Sequence, residues 1–334
     1  MQRIDVHCHA VPPGYRQFAL DNGQERPDGM PALPAWSPEQ HIALMKKIGI
    51  DKSILSISSP GTHLTPDQDE EDVAGRTRRA NEELSEIFRA HPSHFAFFAS
   101  LPLPCVEGTF AEIDYALDVL DAVGFVVLSS SNGVYLGDEV LDPVFEKLNE
   151  RSAVLFMHPT TCKLLGDDGQ VRLVKPLPSY PRPMIEFMFV ETRAVANLLL
   201  SGAVARYPDI TFIMSHCGCV LPPMLDRIGG FAAILGGTAE SQCDELRRLL
   251  RERFYFDLAG FPFPDQIQGL LRLLGEGGEQ RLLYGTDYPF TPEEVAVSQT
   301  DRLEKGLEGL FGENWRHAVY SGNAQRLFGF PGNS

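Results

Sequence analysis

The sequence has no long apolar run, few positive charges and no phosphate-binding glycine turn, and each absence excludes a class of protein. A membrane-spanning helix requires about 18 consecutive apolar residues, and the sequence has no apolar run of that length. Only 29 Lys and Arg residues stand against 45 Asp and Glu residues, so the net charge of −16 repels nucleic acid and anionic membrane surfaces. No Gly-x-Gly-x-x-Gly turn follows the first predicted strand, which argues against a dinucleotide-binding sheet. We therefore expect the chain to bind neither nucleic acid nor membranes.

The N-terminus also lacks the charged and then apolar stretch of a secretory leader. Strand-like sequence begins at Arg3 instead, so we expect a cytoplasmic protein. Six cysteines are present, and without a leader we expect free thiols rather than disulfides. Cys217 and Cys219 either form a pair for a soft metal or, as we prefer, pack as two small buried thiols.

Short runs rich in β-branched and aromatic residues alternate with longer helical patterns along the chain. The predicted strands are residues 3–8, 51–57, 94–100, 124–128, 153–158, 210–215, 254–258 and 281–286. The predicted helices are residues 38–48, 68–91, 107–120, 142–150, 184–205, 222–235, 265–275, 292–308 and, at the C-terminus, 313–327. This alternation predicts an α/β fold, a distorted (β/α)8 TIM barrel in which residues 1–334 form a single domain. A doubly wound open sheet is the competing interpretation.

Two long segments, residues 11–36 and 159–183, interrupt this alternation. Both are rich in Pro and Gly and are longer than ordinary connections between a strand and a helix. Each follows a predicted strand, so each is expected at the carboxyl end of the barrel, where active sites are built. We expect the first insertion, residues 11–36, to close over a substrate.

Polar side chains follow the apolar runs of four predicted strands. His7 and His9 end the first strand, and His158, His216 and Asp287 come at the ends of the fifth, sixth and eighth. The carboxyl ends of parallel strands meet at one end of a barrel, so these side chains should converge. Three neutral imidazoles and one carboxylate suit a single Zn or Mn ion. The sequence therefore predicts a mononuclear metal centre of His7, His9, His158 and Asp287.

His216 remains outside this ligand set. A histidine beside a metal ion is suited to general acid–base catalysis, because its pKa lies near neutrality. His63 follows the second predicted strand on the same face and is a candidate neighbour of the centre.

The segments DVHCH (5–9), SHCG (215–218) and GTDYPF (285–290) resemble motifs of the amidohydrolase superfamily. More narrowly, they resemble its metal-dependent decarboxylase branch, typified by aminocarboxymuconate semialdehyde decarboxylase and the hydroxybenzoate decarboxylases. The likeness extends through residues 191–218 and 321–329. It implies a distorted barrel with one divalent ion and a catalytic histidine at His216, the ligand positions being those of His7, His9, His158 and Asp287.

The resemblance also implies a substrate-binding arginine eleven residues after the catalytic histidine, where this chain has Arg227. In some members of the branch that arginine serves the site of a neighbouring subunit. We accordingly expect a homodimer or a homotetramer.

One departure from the branch bears on the substrate. The semialdehyde decarboxylase has an arginine four residues before the Trp of its Trp-x-Pro-Glu segment, and the matching position here is Ala32. A substrate with two carboxylates would lack that guanidinium. Apolar side chains surround the position and its expected opposite wall, and we expect the substrate to contact Phe18, Trp36, Phe187 and Phe290, with Met30, Leu33 and Phe189 close by. This lining suits a flat aromatic acid.

These features predict a carboxy-lyase that removes CO2 non-oxidatively from an ortho-hydroxy aromatic acid. Residues 52–61 and the proline-rich first insertion favour the 6-methylsalicylate decarboxylases within the branch, so the expected products are 3-methylphenol and CO2. The metal ion would bind phenolate and carboxylate together, and no organic cofactor is needed. Arg227 would anchor a carboxylate oxygen, and Asp287 or His216 would deliver the proton, with Asp287 preferred.

Two alternatives remain open at this point. The same ligands could serve a metal-dependent hydrolase or hydratase that acts on a lactone or amide. A non-catalytic binding protein on a barrel that has lost its activity is less favoured, because all five site positions are filled.

Overall fold

The computed structural model describes residues 3–65, 68–236, 239–312 and 315–331. All eight predicted barrel strands are present, and we number them β1 to β8. They are β1 (Ile4–His9), β2 (Lys52–Ser56), β3 (Phe95–Phe97, continued by Ala99–Ser100), β4 (Phe125–Leu128), β5 (Val154–His158), β6 (Thr211–Met214), β7 (Phe254–Asp257) and β8 (Leu282–Leu283).

The strands pair in parallel in sequence order and close into a barrel. Phe95–Phe97 pairs with β2 and Ala99–Ser100 pairs with β4, so β3 joins the two parts of the sheet. The last strand returns to the first, where the Val6 amide donates to the Tyr284 carbonyl at 3.0 Å and the Asp287 amide donates to the His7 carbonyl at 2.7 Å. This closure confirms the TIM barrel and shows that the alternative of an open, doubly wound sheet is wrong.

Helices follow the strands around the barrel. They are α1 (Pro13–Asp21), α2 (Pro38–Ile48), α3 (Glu70–Ala90), α4 (Val106–Asp118), α5 (Asp142–Glu150), α6 (Glu186–Leu200), α7 (Ala203–Arg206), α8 (Leu221–Ile234), α9 (Ala239–Arg253), α10 (Gln266–Leu274), α11 (Glu293–Phe311), α12 (Trp315–His317) and α13 (Asn323–Phe328). The predicted helix over 184–205 is interrupted at Gly202, which has a φ of 76°. The predicted helix over 313–327 corresponds to α12, a π-helical turn (Ala318–Gly322) and α13, while residues 313 and 314 lie outside the described part.

Two helices were not predicted. The first insertion contains α1, which begins at Pro13, where a proline with its fixed φ suits the first turn of a helix. The other is α9, whose sequence is mostly charged. Its ion pairs between Arg248 and both Glu245 and Glu252 stabilise the exposed face, while a narrow stripe that includes Leu246 and Leu250 is buried. A stripe this narrow is a weak periodic signal in the sequence.

A β-bulge in β1 decides where its histidines point. Asp5 and Cys8 of β1 pair with residues only two apart in β2, so β1 contains one extra residue between them. Val6 packs in the inner cluster of the barrel, whereas Cys8 packs in the outer layer against the helices. The extra residue thus changes the side of the strand on which successive side chains lie. As a result His7 and His9 both project toward the site.

The second insertion, residues 159–183, contains a short antiparallel hairpin of Lys163–Leu165 and Val171–Leu173. It ends in a turn at Arg182–Met184 that contacts the first insertion at Pro27–Gly29. The two insertions therefore meet each other at the carboxyl end of the barrel. None of the helices in the described ranges has the length and apolarity needed to cross a membrane. The cytoplasmic location stays a prediction.

Candidate metal centre and cavity

The structure brings His7, His9, His158 and Asp287 together at the carboxyl end of the barrel. Each of the four offers a ligand atom, and these atoms lie within 4.8 Å of one another. The Nε2 atoms of His7 and His9 lie 3.5 and 3.1 Å from the same Asp287 oxygen. Both nitrogens are buried and have no hydrogen-bond partner among the described residues. A cluster of imidazole nitrogens around one carboxylate oxygen has the donor set and spacing of a site for one divalent ion.

The other nitrogen of each imidazole is held by a separate contact. His7 Nδ1 lies 3.0 Å from Asp257, and His9 Nδ1 lies 2.9 Å from the Ser56 hydroxyl. His158 Nδ1 donates to the carbonyl of Pro159 at 2.7 Å. Contacts of this kind fix the orientation of a ligating histidine and leave Nε2 free to bind metal.

Burial and two carboxylates, those of Asp257 and Asp287, set the charges in the cluster. Burial lowers the pKa of His9 and lowers the pKa of His158 well below its usual range, which keeps both imidazoles neutral. Burial raises the pKa of Asp287, but the neighbouring imidazoles of His7 and His9 outweigh it and hold this pKa well below its usual value. Burial also lowers the pKa of His7, yet the Asp257 and Asp287 carboxylates raise it well above its usual value. Two carboxylates facing His7 mark the place where positive charge is stabilised.

Glycine is required where β8 passes close to β1. A Cβ atom at Gly285 would come within 2.7 Å of the His7 Cβ atom. The small residue therefore allows the chain that carries Asp287 to approach the first strand.

His216 lies in a strained turn beside the ligand cluster. Its ring centre is 4.8 Å from that of His7, and its φ is 50°. The His216 amide donates to the Asp257 carboxylate at 3.2 Å, and Gln266 donates to the His216 carbonyl at 2.7 Å. Burial and the charge of His7 lower the pKa of His216, which favours a neutral imidazole. Several contacts thus hold an unusual backbone conformation in place.

A second buried carboxylate, that of Glu191 on α6, stabilises the same turn. It accepts hydrogen bonds from the Ser215 amide at 2.8 Å and the Ser215 hydroxyl at 2.5 Å, and from the Cys219 thiol at 3.4 Å. Burial raises the pKa of Glu191 to about 7. Cys217 and Cys219 are buried free thiols, in agreement with the preferred interpretation of this pair.

A cavity of about 740 Å³ opens next to the ligand cluster. His158, His216 and Asp287 form its polar end. The remaining lining is mostly apolar and includes Met30, Met184, Phe187 and Phe290. The structure therefore places Phe187 and Phe290 at the cavity, and their contact with a substrate stays a prediction.

Several predicted residues are not brought to this cavity. Phe18 packs beneath the Arg76 guanidinium, 4.5 Å from its ring centre, and lines a separate groove. Trp36 donates a hydrogen bond to His41 at 3.0 Å and does not line the cavity. Leu33 is buried in the core, Phe189 is half exposed, and His63 lies in a different small cavity. Residues on a long insertion or on the flank of a helix can face several directions, which sequence spacing does not determine.

Arg227 also lies outside the cavity of its own chain. It is exposed on α8, with its guanidinium 4.8 Å from the Phe231 ring centre.

Three further residues were missed by the sequence analysis: Asp257, Glu191 and Asp28. Asp257 ends β7 after an apolar run, which is the signal that identified the ligands, so the same rule could have found it. Glu191 is one acidic residue on a largely apolar helix face, a weaker signal. Asp28 lies in the first insertion, where the sequence gives no strand or helix period to place it.

The model of the amidohydrolase family matches residues 4–330. The chain belongs to the amidohydrolase family. It is 32% identical to decarboxylase yanB of Aspergillus niger, over 98% of this chain and 88% of that one. It is 31% identical to the 6-methylsalicylic acid decarboxylase of Penicillium expansum, over 98% and 96% of the two chains. The crystal structure of an amidohydrolase II superposes with a TM-score of 0.84 at 28% identity, over 98% of this chain and 99% of that one.

Proposed function

We propose that this chain removes CO2 non-oxidatively from an ortho-hydroxy aromatic acid, with 6-methylsalicylate, which gives 3-methylphenol and CO2, as the leading substrate. The observation that carries the proposal is the direct contact between the ligand cluster and a largely apolar cavity. Phe187 and Phe290 offer apolar ring surface to a flat aromatic substrate, and Asp287 offers a polar group to its substituents. The names of the decarboxylase relatives support the same reaction class here.

The ligand atoms of His7, His9, His158 and Asp287 fit one Zn or Mn ion, and the proposed chemistry needs no organic cofactor. When bound, the ion supplies the Lewis acidity that favours ionisation of the substrate hydroxyl.

Asp287 is the proposed proton carrier. Its low pKa means that it enters the reaction as a carboxylate, and 20% of its side chain is exposed. It takes the proton of the ortho hydroxyl and passes it to the ring carbon that bears the carboxylate. The carbon–carbon bond then breaks, CO2 leaves, and the electron pair restores the aromatic ring as a phenolate, which takes a proton from water. His216 is the alternative donor. In the preferred assignment it holds Asp287 or a water molecule in place.

A panel of ortho-hydroxybenzoates incubated with metal-loaded protein tests this function. Release of CO2 and formation of the matching phenol are the expected results. Benzoate should not react, because it lacks the hydroxyl that supplies electrons to the ring. Hydrolysis of a lactone or amide without CO2 release would instead support the alternative reaction on the same site, and equal rates for benzoate would refute the proposed mechanism.

We further propose that the chain forms a homodimer or homotetramer in which Arg227 binds the substrate carboxylate of a neighbouring subunit. Arg227 shares one face of α8 with Met224, Phe231 and Ile234, which expose 39%, 51% and 76% of their surfaces. A contiguous apolar helix face of this kind is typical of a surface covered in an assembly.

Complementation between subunits tests this assignment. Arg227→Ala and His9→Ala should each be inactive alone. A mixture that exchanges subunits should regain activity, because one site then combines an intact ligand cluster with an intact arginine. A mixture that stays inactive despite confirmed exchange would contradict a shared site.

A further inference from the structure

Asp28 lies on the wall of the cavity that the first insertion forms. It occupies the tight turn Pro27–Gly29 with a φ of 53°, and only 8% of its surface is exposed. The Thr161 hydroxyl donates to its Oδ1 atom, and the nearby Ser59 hydroxyl lowers the pKa of the carboxylate. The turn is therefore anchored to the loop that follows β5, which limits the positions that the carboxylate can take.

The charge of Asp28 has no close counterion. Apart from His158, His216 and Asp287, it is the one ionisable side chain that lines the cavity in the described part of the chain. The described residues provide no ion-pair partner within 4.0 Å, and Arg182 and Lys163 act on Asp28 only from a greater distance. Burial raises the pKa of Asp28, and the hydroxyls of Ser59 and Thr161 and the charge of Arg182 oppose that rise. An ionised carboxylate has about four acceptor sites, so the Thr161 hydroxyl leaves part of its capacity free.

We propose that Asp28 is a specificity-determining residue, which accepts a hydrogen bond from a second hydroxyl group on the ring of the substrate and excludes a second carboxylate from this wall. The inference rests on the proposed function and refines it. 6-Methylsalicylate is one member of the substrate class, and members that carry another hydroxyl on the side of Asp28 bind more tightly.

The physical reason is that the buried Asp28 carboxylate attracts a hydrogen-bond donor but repels a second negative charge. A ring hydroxyl supplies a charge-assisted hydrogen bond to a carboxylate that has lost most of its water. A substrate carboxylate at the same place would be desolvated beside another negative charge, with no Lys or Arg among the lining residues to compensate it.

Binding of two phenols to the metal-loaded protein tests the donor role without turnover. 3-Methylphenol and 5-methylbenzene-1,3-diol differ by one hydroxyl, and neither has a carboxylate to lose. Calorimetry should show the diol bound about tenfold more tightly by the wild-type protein. The preference should fall to about threefold or less in Asp28→Asn and disappear in Asp28→Gly. Asn and Gly both tolerate the positive φ of this turn, so neither substitution strains it.

Asp21→Asn is the matched control, because Asp21 is exposed on the same insertion and does not line the cavity. It should keep the full preference for the diol. Melting temperature and metal content show whether each variant is folded and loaded. A wild-type protein without a diol preference, or loaded Asp28 variants that retain it, would overturn the inference.

Reaction rates provide a second test, which concerns the exclusion of a second carboxylate. A salicylate with an additional ring carboxylate should react poorly with the wild-type protein and about tenfold faster with Asp28→Asn, since a repulsive charge is removed. An unchanged rate would contradict the exclusion of a second carboxylate. If no ortho-hydroxybenzoate releases CO2 but the diol preference depends on Asp28, the proposed function fails and the binding inference stands. If CO2 is released and the preference for the diol is independent of Asp28, the proposed function stands and the inference about Asp28 fails.

Discussion

The two ends of the cavity are built differently. At the metal end, the ligands project from or just after barrel strands, and His7, His9 and His158 each have a second contact from Asp257, Ser56 or Pro159. Elsewhere in the lining, the two insertions contribute apolar residues such as Met30, Pro181 and Pro183, and the adjoining Met184 is 64% exposed. A reaction centre needs fixed geometry, whereas a wall that selects substrates can vary without disturbing it. We therefore expect substitutions at the metal end to alter chemistry and metal binding, and substitutions at the insertion end to alter substrate preference.

The largest effect is expected from loss of a ligand. His9→Ala should abolish stoichiometric metal binding and CO2 release, because the remaining groups no longer surround the ion. Elemental analysis and a CO2 assay measure the two losses. His94→Ala is the control, since His94 lies away from the cluster and should leave both unchanged. A folded, metal-free protein with full activity would eliminate the proposed centre.

The next largest effect is expected at Asp257, which contacts His7 but is not one of the four proposed metal ligands. Asp257→Asn should lower metal affinity by about 10- to 100-fold, because His7 loses the partner that orients it and raises its basicity. Metal titration with a competing chelator measures the change. An affinity equal to that of the wild-type protein would mean that the bulge in β1 alone orients His7.

A smaller effect is expected on the apolar wall. Phe290→Leu should raise the KM for 6-methylsalicylate by about fivefold while metal content is retained, since the substitution removes part of the surface that contacts the ring. Steady-state kinetics and elemental analysis provide both readouts. Phe18→Leu is the matched substitution outside the cavity and should change neither parameter. An equal rise in KM in the two variants would show that Phe18 also contacts the substrate.

The smallest effect concerns pH and Glu191. The pKa of Glu191 is raised to about 7 in the folded chain, so the fold favours the protonated form. The folded state then binds more protons than the unfolded state between the usual carboxyl range and about pH 7, and stability falls as pH rises through that window. Glu191→Gln mimics the protonated form.

The free energy of unfolding of wild-type protein, relative to Glu191→Gln, should therefore fall as pH rises toward 7 and then level off. Denaturant unfolding at a series of pH values measures this difference. A difference that stays constant with pH would show that Glu191 keeps an ordinary pKa. Above pH 7, where Glu191 is mostly ionised, the kcat of Glu191→Gln should fall more than its KM rises, because the carboxylate then holds the turn of His216 and does not line the cavity.

The eight strands and the convergence of the ligands followed from local patterns. Apolar runs such as that of β5 end in a polar residue, and parallel strands of a barrel share one end, so His158 and Asp287 had to lie near each other. Helix α9 escaped prediction because most of its residues are charged and its buried stripe is narrow. Phe18 and Trp36 were assigned to the cavity from composition, but α1 and the bond from Trp36 to His41 direct them elsewhere.

The order and spacing of residues along the strands were enough to predict the barrel and the convergence of His7, His9, His158 and Asp287, and residue composition was enough to predict an apolar pocket. Only the tertiary structure decided which side chains of the insertions reach the cavity, which carboxylates hold the histidines, and that Arg227 lies away from its own site. The bulge in β1, the strained turn at His216 and the position of Asp28 depend on contacts between segments far apart in the chain. Those contacts are set by packing in three dimensions, and no local period in the sequence records them.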